Sequence, residues 1–183
     1  GYTASKGDVL PWATRTVEAG MATVIFDLPG HYLGNFIDVK EFSEFRDHAK
    51  DLFFEAYQVL SQHMAKIKCE KLILGGHSLG ALLSAWALDD KRFAELERLS
   101  VCVGLGLNLD TEKTHIFESS FYQKTLNIRR QLVSPALDTD VVFAWIKDEK
   151  EKIRITNKRL HLITGEDDVV VGLDGMENLI ELL

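Results

Sequence analysis

The sequence has little cysteine, no long apolar run and no excess of basic charge. Its 183 residues include only two cysteines, Cys69 and Cys102, without metal-ligand spacing. Two lone thiols beside or within apolar runs favour a reducing compartment over a disulfide framework, which predicts a cytoplasmic protein. No run is long enough to cross a bilayer, and no signal-peptide pattern opens the chain. The net charge of -7 disfavours nucleic acid as a partner.

The chain also lacks internal repeats, low-complexity linkers and a dinucleotide fingerprint. Gly104 and Gly106 lie inside an apolar run, with no third glycine and no helix start after them. We therefore expect no organic cofactor and no metal. The composition, 46% apolar and 27% charged, is that of an ordinary globular protein with one domain as the default.

The most informative stretch runs from Lys71 to Trp86. An apolar run leads into Gly76-His77-Ser78-Leu79-Gly80, and a segment rich in alanine and leucine follows. This G-x-S-x-G spacing suits a serine on a very sharp strand-to-helix turn, where glycine two residues away on either side avoids a Cβ clash. The alternative is a structural Gly-Ser turn that closes a Rossmann-like βα unit.

The stretch resembles the nucleophile elbow of the α/β-hydrolase family. The resemblance implies that Ser78 is a nucleophile and that the backbone N–H of Leu79 lies in an oxyanion hole. Residues 1–6 resemble the family's loop after the third strand, in which a His-Gly-aromatic segment supplies the second N–H. The resemblance implies that this N–H is the backbone N–H of Tyr2. The alternative for these residues is a disordered polar terminus.

The catalytic acid is expected after the last clear apolar run, residues 159–164. Gly165-Glu166-Asp167-Asp168 resembles the family's G-x-x-D acid loop, which selects Asp168, with Asp167 as the competitor and Glu166 as a poor third.

The catalytic histidine is expected outside residues 1–183. The family order is Ser, acid, His, and none of the 15 residues after Asp168 is a histidine. The alternative within the chain is His31, because His77 is expected to point away from Ser78. The clipped motif before Gly1 and the missing histidine predict that the chain is a piece of a longer polypeptide, with further strands flanking the sheet.

The order of apolar runs predicts the fold class. Runs at 21–26, 71–74, 101–107 and 159–164 are typical of buried strands. Helical patterns occupy 8–19, 39–68, 92–99, 176–183 and the stretch after Ser78. This alternation favours an α/β fold with a doubly wound, mostly parallel sheet and helices on both faces, and the resemblance implies the α/β-hydrolase fold. Short helices are expected between them, at 111–150.

The resemblance also implies a division into domains and an activity. Residues 1–110 and 151–183 would form the hydrolase core, and 111–150 a small helical cap; a plain peripheral helical pair is the alternative. The implied activity is that of a serine hydrolase, which cleaves a small-molecule carboxylic ester or thioester through an acyl-enzyme on Ser78. The alternatives are a non-catalytic binding protein of the same fold, and an acyltransferase or lyase.

Overall fold

The computed structural model describes residues 1–64, 69–107, 120–157, 159–168 and 170–183. Within these ranges, three β-strands and seven α-helices are formed. The strands are β1 (Lys71–His77), β2 (Glu97–Val103) and β3 (Leu160–Ile163). The helices are α1 (Leu10–Glu18), α2 (Phe42–Ala49), α3 (Leu52–His63), α4 (Leu79–Leu88), α5 (Ser120–Arg130), α6 (Thr139–Lys152) and α7 (Gly172–Leu182). No helix in the described ranges is long and apolar enough to cross a membrane.

The three strands form one parallel sheet in the order β1-β2-β3. The register sets His77 opposite Val103, and Val103 opposite Ile163. Two further backbone hydrogen bonds continue the ladders past the strand ends, from Ser78 N to the Val103 carbonyl (2.9 Å) and from Gly104 N to the Ile163 carbonyl (2.9 Å). All three strands therefore end at one carboxyl edge, where Ser78, Gly104 and the residues after β3 come together.

The two faces of the sheet differ in how well they are covered. One face carries Leu74 and Cys102, which are buried in a core with helices α4 and α7. The opposite face carries Ile73 and Ile163, each of which is 51% exposed. The sheet is thus packed with helices on one face and left largely open on the other.

Helix α4 lies at the centre of the molecule because almost all of its surface is apolar. Eight of its ten residues are buried. Ala85 and Leu88 belong to the core beneath the sheet, whereas Leu79 and Leu83 belong to a second core. That second core is built with side chains of α2 and α6, such as Phe45 and Trp145. The order of layers is therefore sheet, α4, then a layer of amphipathic helices.

The prediction of a doubly wound sheet with the α/β-hydrolase fold is wrong. The molecule is a small α/β protein with a three-stranded parallel sheet, far smaller than the eight-stranded sheet of that fold. The main difference is the run 21–26, which forms no β-ladder among the described residues. A strand needs a hydrogen-bonded neighbour for its N–H and C=O groups, and an apolar pattern does not show whether a neighbour exists.

Three local predictions also need correction. The single helix expected at 39–68 is broken at Lys50 and Asp51 into α2 and α3, and 65–68 lie outside the described residues. The helix expected at 92–99 is a short 3₁₀ turn, Lys91–Phe93, which Asp90 caps, followed by β2. The strand expected at 101–107 is the second half of β2 and ends at Val103, where Gly104 has φ of 64°.

The remaining element predictions agree with the structure. Strands form at 71–77 and 160–163, and helices follow Ser78 and end the chain. Two helices, α5 and α6, occupy the described part of 111–150, and 108–119 lie outside the described residues. The division into a core and a cap stays a prediction.

Candidate active site

Ser78 has the strained backbone that a nucleophile elbow requires. It stands between β1 and α4 with φ of 54° and ψ of -117°, a region that residues with a side chain rarely adopt. The surrounding structure holds it there, because Ser78 N donates to Val103 and the Ser78 carbonyl accepts from Ala81 N (2.9 Å) and Leu82 N (3.1 Å). The serine is thus fixed at the N-terminus of α4, where the helix dipole favours negative charge.

The two glycines of the motif differ in how much space a side chain would have. A Cβ on Gly76 would lie 2.3 Å from the carbonyl carbon and oxygen of Gly80, which are backbone atoms that cannot move aside. A Cβ on Gly80 would meet nothing within 4 Å. The turn therefore requires glycine at position 76 for close backbone approach, and tolerates a methyl group at position 80.

The loop of residues 1–5, here called the N-terminal loop, lies against the elbow. A Cβ on Gly1 would come within 3.5 Å of Ser78 Cβ and 3.3 Å of His77 Nδ1. The loop turns sharply, with Ala4 N donating to the Gly1 carbonyl (3.1 Å) and Thr3 at φ of 61°. Gly1 is therefore placed where its backbone passes beside the serine.

The Tyr2 side chain anchors this loop away from the serine. Its ring is buried, and its hydroxyl donates to the Leu137 carbonyl (2.8 Å) and lies 3.3 Å from Thr139 Oγ1. Within the described ranges, neither the backbone N–H of Tyr2 nor that of Leu79 has an acceptor. Two unused amide donors thus flank the elbow, on the two segments from which an oxyanion hole was predicted.

A second contact fixes the far end of the N-terminal loop. The Asp27 carboxylate accepts from Lys6 N (2.6 Å) and pairs with the Lys6 ammonium group. Asp27 opens the loop 27–31, and a Cβ on Gly34 would collide with its carboxylate at 2.0 Å. The N-terminal loop is therefore held between this acidic side chain and the partners of the Tyr2 hydroxyl, Leu137 and Thr139.

Asp168 lies at the same edge of the sheet as Ser78. Its Oδ1 accepts from Val170 N (2.9 Å) and Val171 N (3.0 Å), and its Oδ2 accepts from Thr164 Oγ1 (3.3 Å). Burial acts to raise the pKa of Asp168, but these hydrogen bonds outweigh it and the pKa is lowered overall. Asp168 is half-buried, whereas its competitors Asp167 and Glu166 are exposed.

The His77 ring does not point away from the site, as the sequence had led us to expect. A Cβ on Gly104 would lie 3.3 Å from His77 Nε2 and 3.9 Å from Asp168 Oδ2, so the imidazole and the carboxylate border one point. Burial of the ring lowers the pKa of His77, and the negative charge of Asp168 opposes this. His77 is thus an imidazole beside the candidate acid, although it was expected to point elsewhere.

The alternation of side chains along a strand would have indicated this position. His77 pairs with Val103, so its side chain emerges on the face of the sheet opposite to Leu74 and Cys102. At that edge, Gly104 after β2 and Asp168 after β3 are its neighbours. What hid it was the assumption that adjacency to Ser78 removes a residue from the site.

His31 does not lie in the open part of the site. It is 1% exposed, with Nδ1 3.0 Å from the Pro29 carbonyl and its ring packed edge-on against Tyr2 at 5.9 Å between centroids. Its Nε2 has no partner among the described residues. Burial lowers the pKa of His31, so the ring is neutral and belongs to the packing behind Tyr2.

The other histidines play no visible part in this site. His161 was expected to be packed within its strand, but its side chain is exposed on β3. His115 lies outside the described residues. Within the described ranges, no group of three or more His, Cys, Asp or Glu side chains is arranged to hold a metal ion.

Comparisons of this chain with protein-family models, with curated proteins and with solved structures found no match.

Proposed function

We propose that the protein is a serine hydrolase that cleaves a carboxylic ester or a thioester through an acyl-enzyme on Ser78. The observation that carries the proposal is the backbone of Ser78, which is held at φ of 54° at the start of a buried helix. A protein retains such strain where the surrounding structure stabilises it, and it is concentrated at functional sites. A plain Gly-Ser turn would not need a non-glycine residue in this conformation.

The proposed roles follow from the groups around Ser78. Its Oγ attacks the carbonyl carbon of the substrate and transfers its proton to an imidazole, while the carbonyl oxygen becomes an oxyanion. The unused backbone N–H groups of Tyr2 and Leu79 bind this oxyanion. The alcohol or thiol leaves with the proton, and water then releases the acid from Ser78.

Asp168 is the proposed orienting acid. Its lowered pKa keeps it ionised at neutral pH, which is what stabilisation of an imidazolium requires. Its hydrogen bonds from Val170, Val171 and Thr164 hold the carboxylate in one orientation.

Two histidines compete for the role of the base. A histidine outside residues 1–183 remains the prediction from the family order. His77 is the second candidate, because its ring borders the same point as the Asp168 carboxylate. The variant His77→Gln separates them: turnover stays within a few-fold of wild type if the base lies elsewhere, and falls by about 10⁴ if His77 is the base, as for the loss of a triad member.

A fluorophosphonate probe tests the nucleophile. The probe should form one covalent adduct per chain, and peptide mass spectrometry should find it on Ser78. The variant Ser78→Ala should take up no probe. The matched control is Ser43→Ala, which removes an exposed hydroxyl from α2 and should label as wild type. An adduct on another serine would refute the assignment, and no adduct on correctly folded protein would favour a non-catalytic protein.

Product analysis separates hydrolysis from acyl transfer. With a nitrophenyl ester, a hydrolase releases the free acid even when an alcohol or thiol acceptor is present at millimolar concentration. An acyltransferase forms the new ester or thioester instead.

A further inference from the structure

Among the described residues, one cation near the site has no acidic side chain as a partner. Arg129, near the end of α5, is half-buried, and no carboxylate in the described part of the chain lies within ion-pair distance of it. Its neighbour Arg130 differs, because it pairs with Asp138 (2.6 Å) and also lies 3.7 Å from Asp140. In a chain with a net charge of -7, a half-buried guanidinium without an acidic partner in the described ranges is unusual.

Arg129 is bound to the N-terminal loop itself. Its Nη1 donates to Thr3 Oγ1 (3.2 Å), and its Nε donates to Thr125 Oγ1 (3.2 Å). Thr3 directly follows Tyr2, the residue whose N–H is proposed for the oxyanion hole, and two residues before it Gly1 abuts Ser78. The guanidinium is therefore bonded to the same short loop whose first residue lies against Ser78.

The guanidinium is held in a fixed plane with donors to spare. It stacks on Tyr122, with its central carbon 4.9 Å from the ring centroid. Of the five N–H groups of an arginine, two are used by Thr3 and Thr125, and the other three have no acceptor among the described residues. An arginine stacked on a ring keeps its in-plane donors available for a planar anion such as a carboxylate, or for a phosphate.

We infer that the substrate of this site carries an anionic group, a carboxylate or a phosphate, which Arg129 binds while the ester or thioester bond lies at Ser78. This inference rests on the proposed function, and it names the class of substrate that the hydrolase accepts. Thr3 holds the guanidinium in position relative to the N-terminal loop, so that binding of the anion is coupled to the alignment of the Tyr2 N–H. Both a substrate carboxylate and a substrate phosphate satisfy the same chemistry.

Two nitrophenyl esters of similar size test the inference. One is the neutral nitrophenyl valerate, and the other is the mono-nitrophenyl ester of glutaric acid, which ends in a carboxylate. The measured quantity is the ratio of kcat/KM for the anionic ester to kcat/KM for the neutral ester. In Arg129→Gln this ratio should fall about tenfold or more, since one charged hydrogen-bonding partner is lost. Arg129→Lys, which keeps the charge, should fall between wild type and Arg129→Gln.

The control is Arg130→Gln, which removes the same charge from the next residue of α5 but leaves Arg129 in place. Its ratio should match that of wild type. A ratio that is unchanged in Arg129→Gln, or that falls equally in both variants, would overturn the inference.

A binding measurement keeps the test independent of catalysis. In the Ser78→Ala background, titration calorimetry with monomethyl glutarate and with monomethyl phosphate should detect binding that Arg129→Gln weakens about tenfold or more and Arg130→Gln leaves unchanged. Binding without hydrolysis by the wild type would refute the proposed function and leave the anion site standing. Hydrolysis that does not depend on Arg129 would refute the anion site and leave the proposed function standing. A stronger response to one of the two anions identifies the substrate group.

Discussion

The elbow at Ser78 and the open face of the sheet lie only a few residues apart, but they differ in how tightly their surroundings constrain them. At the elbow, the strained serine, the contact between Gly76 and Gly80 and the buried helix behind them constrain one another. On the open face, Ile73 and Ile163 are half exposed, and no layer of the described chain covers them as α4 covers the other face. Local contacts thus fix the geometry of the elbow, whereas the extent of the sheet depends on which segments pair.

The largest effect is expected at Gly76. The change Gly76→Ala places a Cβ 2.3 Å from backbone atoms of Gly80, so either β1 or the start of α4 must shift. We expect a loss of about 3 kcal/mol or more in the free energy of unfolding, the upper range for overpacking, and the loss of fluorophosphonate labelling. Denaturant unfolding and labelling measure the two effects.

Gly75→Ala is the control for this change. It adds a methyl group to the same strand, but its nearest contact, the Val101 carbonyl oxygen, would be at an ordinary 3.4 Å. The two variants should differ clearly in both measurements. Equal behaviour would mean that the close approach of strand and helix does not shape the elbow.

A second pair of variants compares the core beneath the sheet with the open face of the sheet. Leu82 on α4 is 0% exposed, so Leu82→Ala should cost about 2–5 kcal/mol of the free energy of unfolding. Ile73 on the open face is 51% exposed, so Ile73→Ala should cost about 1 kcal/mol or less. Chemical denaturation gives both values. An equal cost at Ile73 and Leu82 would mean that another layer covers this face, and that the two faces do not differ in packing.

A smaller effect is expected from Tyr2→Phe. The change removes the hydroxyl that donates to the Leu137 carbonyl and leaves this buried acceptor without its partner. The expected cost is about 1–2 kcal/mol of the free energy of unfolding. Because the hydroxyl fixes the N-terminal loop, labelling of Ser78 should also slow, which a purely structural bond would not explain. Labelling at the wild-type rate would show that the position of the N-terminal loop does not affect the oxyanion hole.

The smallest effect is expected from Gly80→Ala, which should increase the stability of the protein. Gly80→Ala adds a methyl group into open space within the first turn of α4, and alanine favours helix by up to about 1 kcal/mol over glycine. The free energy of unfolding should therefore rise slightly, and labelling should persist. A loss of stability comparable to that of Gly76→Ala would show that both glycines are needed for the turn, as the motif alone suggests.

The sequence predicted the parts of the molecule whose constraints are local. The G-x-S-x-G pattern between an apolar run and an alanine-rich helix was enough to expect a strained Ser78, because the residues that cause the strain lie within two positions of it. Gly165 to Asp168 likewise form a single short turn, with Asp168 N bonded to the Gly165 carbonyl (3.1 Å). These short-range patterns do not depend on the rest of the fold.

The sequence did not predict features that depend on distant partners. The run 21–26 has the composition of a buried strand but has no strand beside it in the described chain. The ring of His77 and the Asp168 carboxylate border the same point near Gly104 because β1 and β3 flank β2 in this order. The hydrogen bond from Arg129 to Thr3 depends on α5 meeting the N-terminal loop, 126 residues away in sequence. Side-chain alternation along β1 would have indicated the face on which His77 lies, but the pairing of these distant segments leaves no signal in a single sequence.

The most direct test of the central claim is a crystal structure of the protein after reaction with the fluorophosphonate. The account predicts a covalent bond between Ser78 Oγ and phosphorus, with the phosphonyl oxygen about 2.7–3.1 Å from both the Leu79 and the Tyr2 backbone nitrogens. The backbone of Ser78 should keep its positive φ. A phosphonyl group on another residue, or a phosphonyl oxygen that points into solvent away from both amides, would contradict the account.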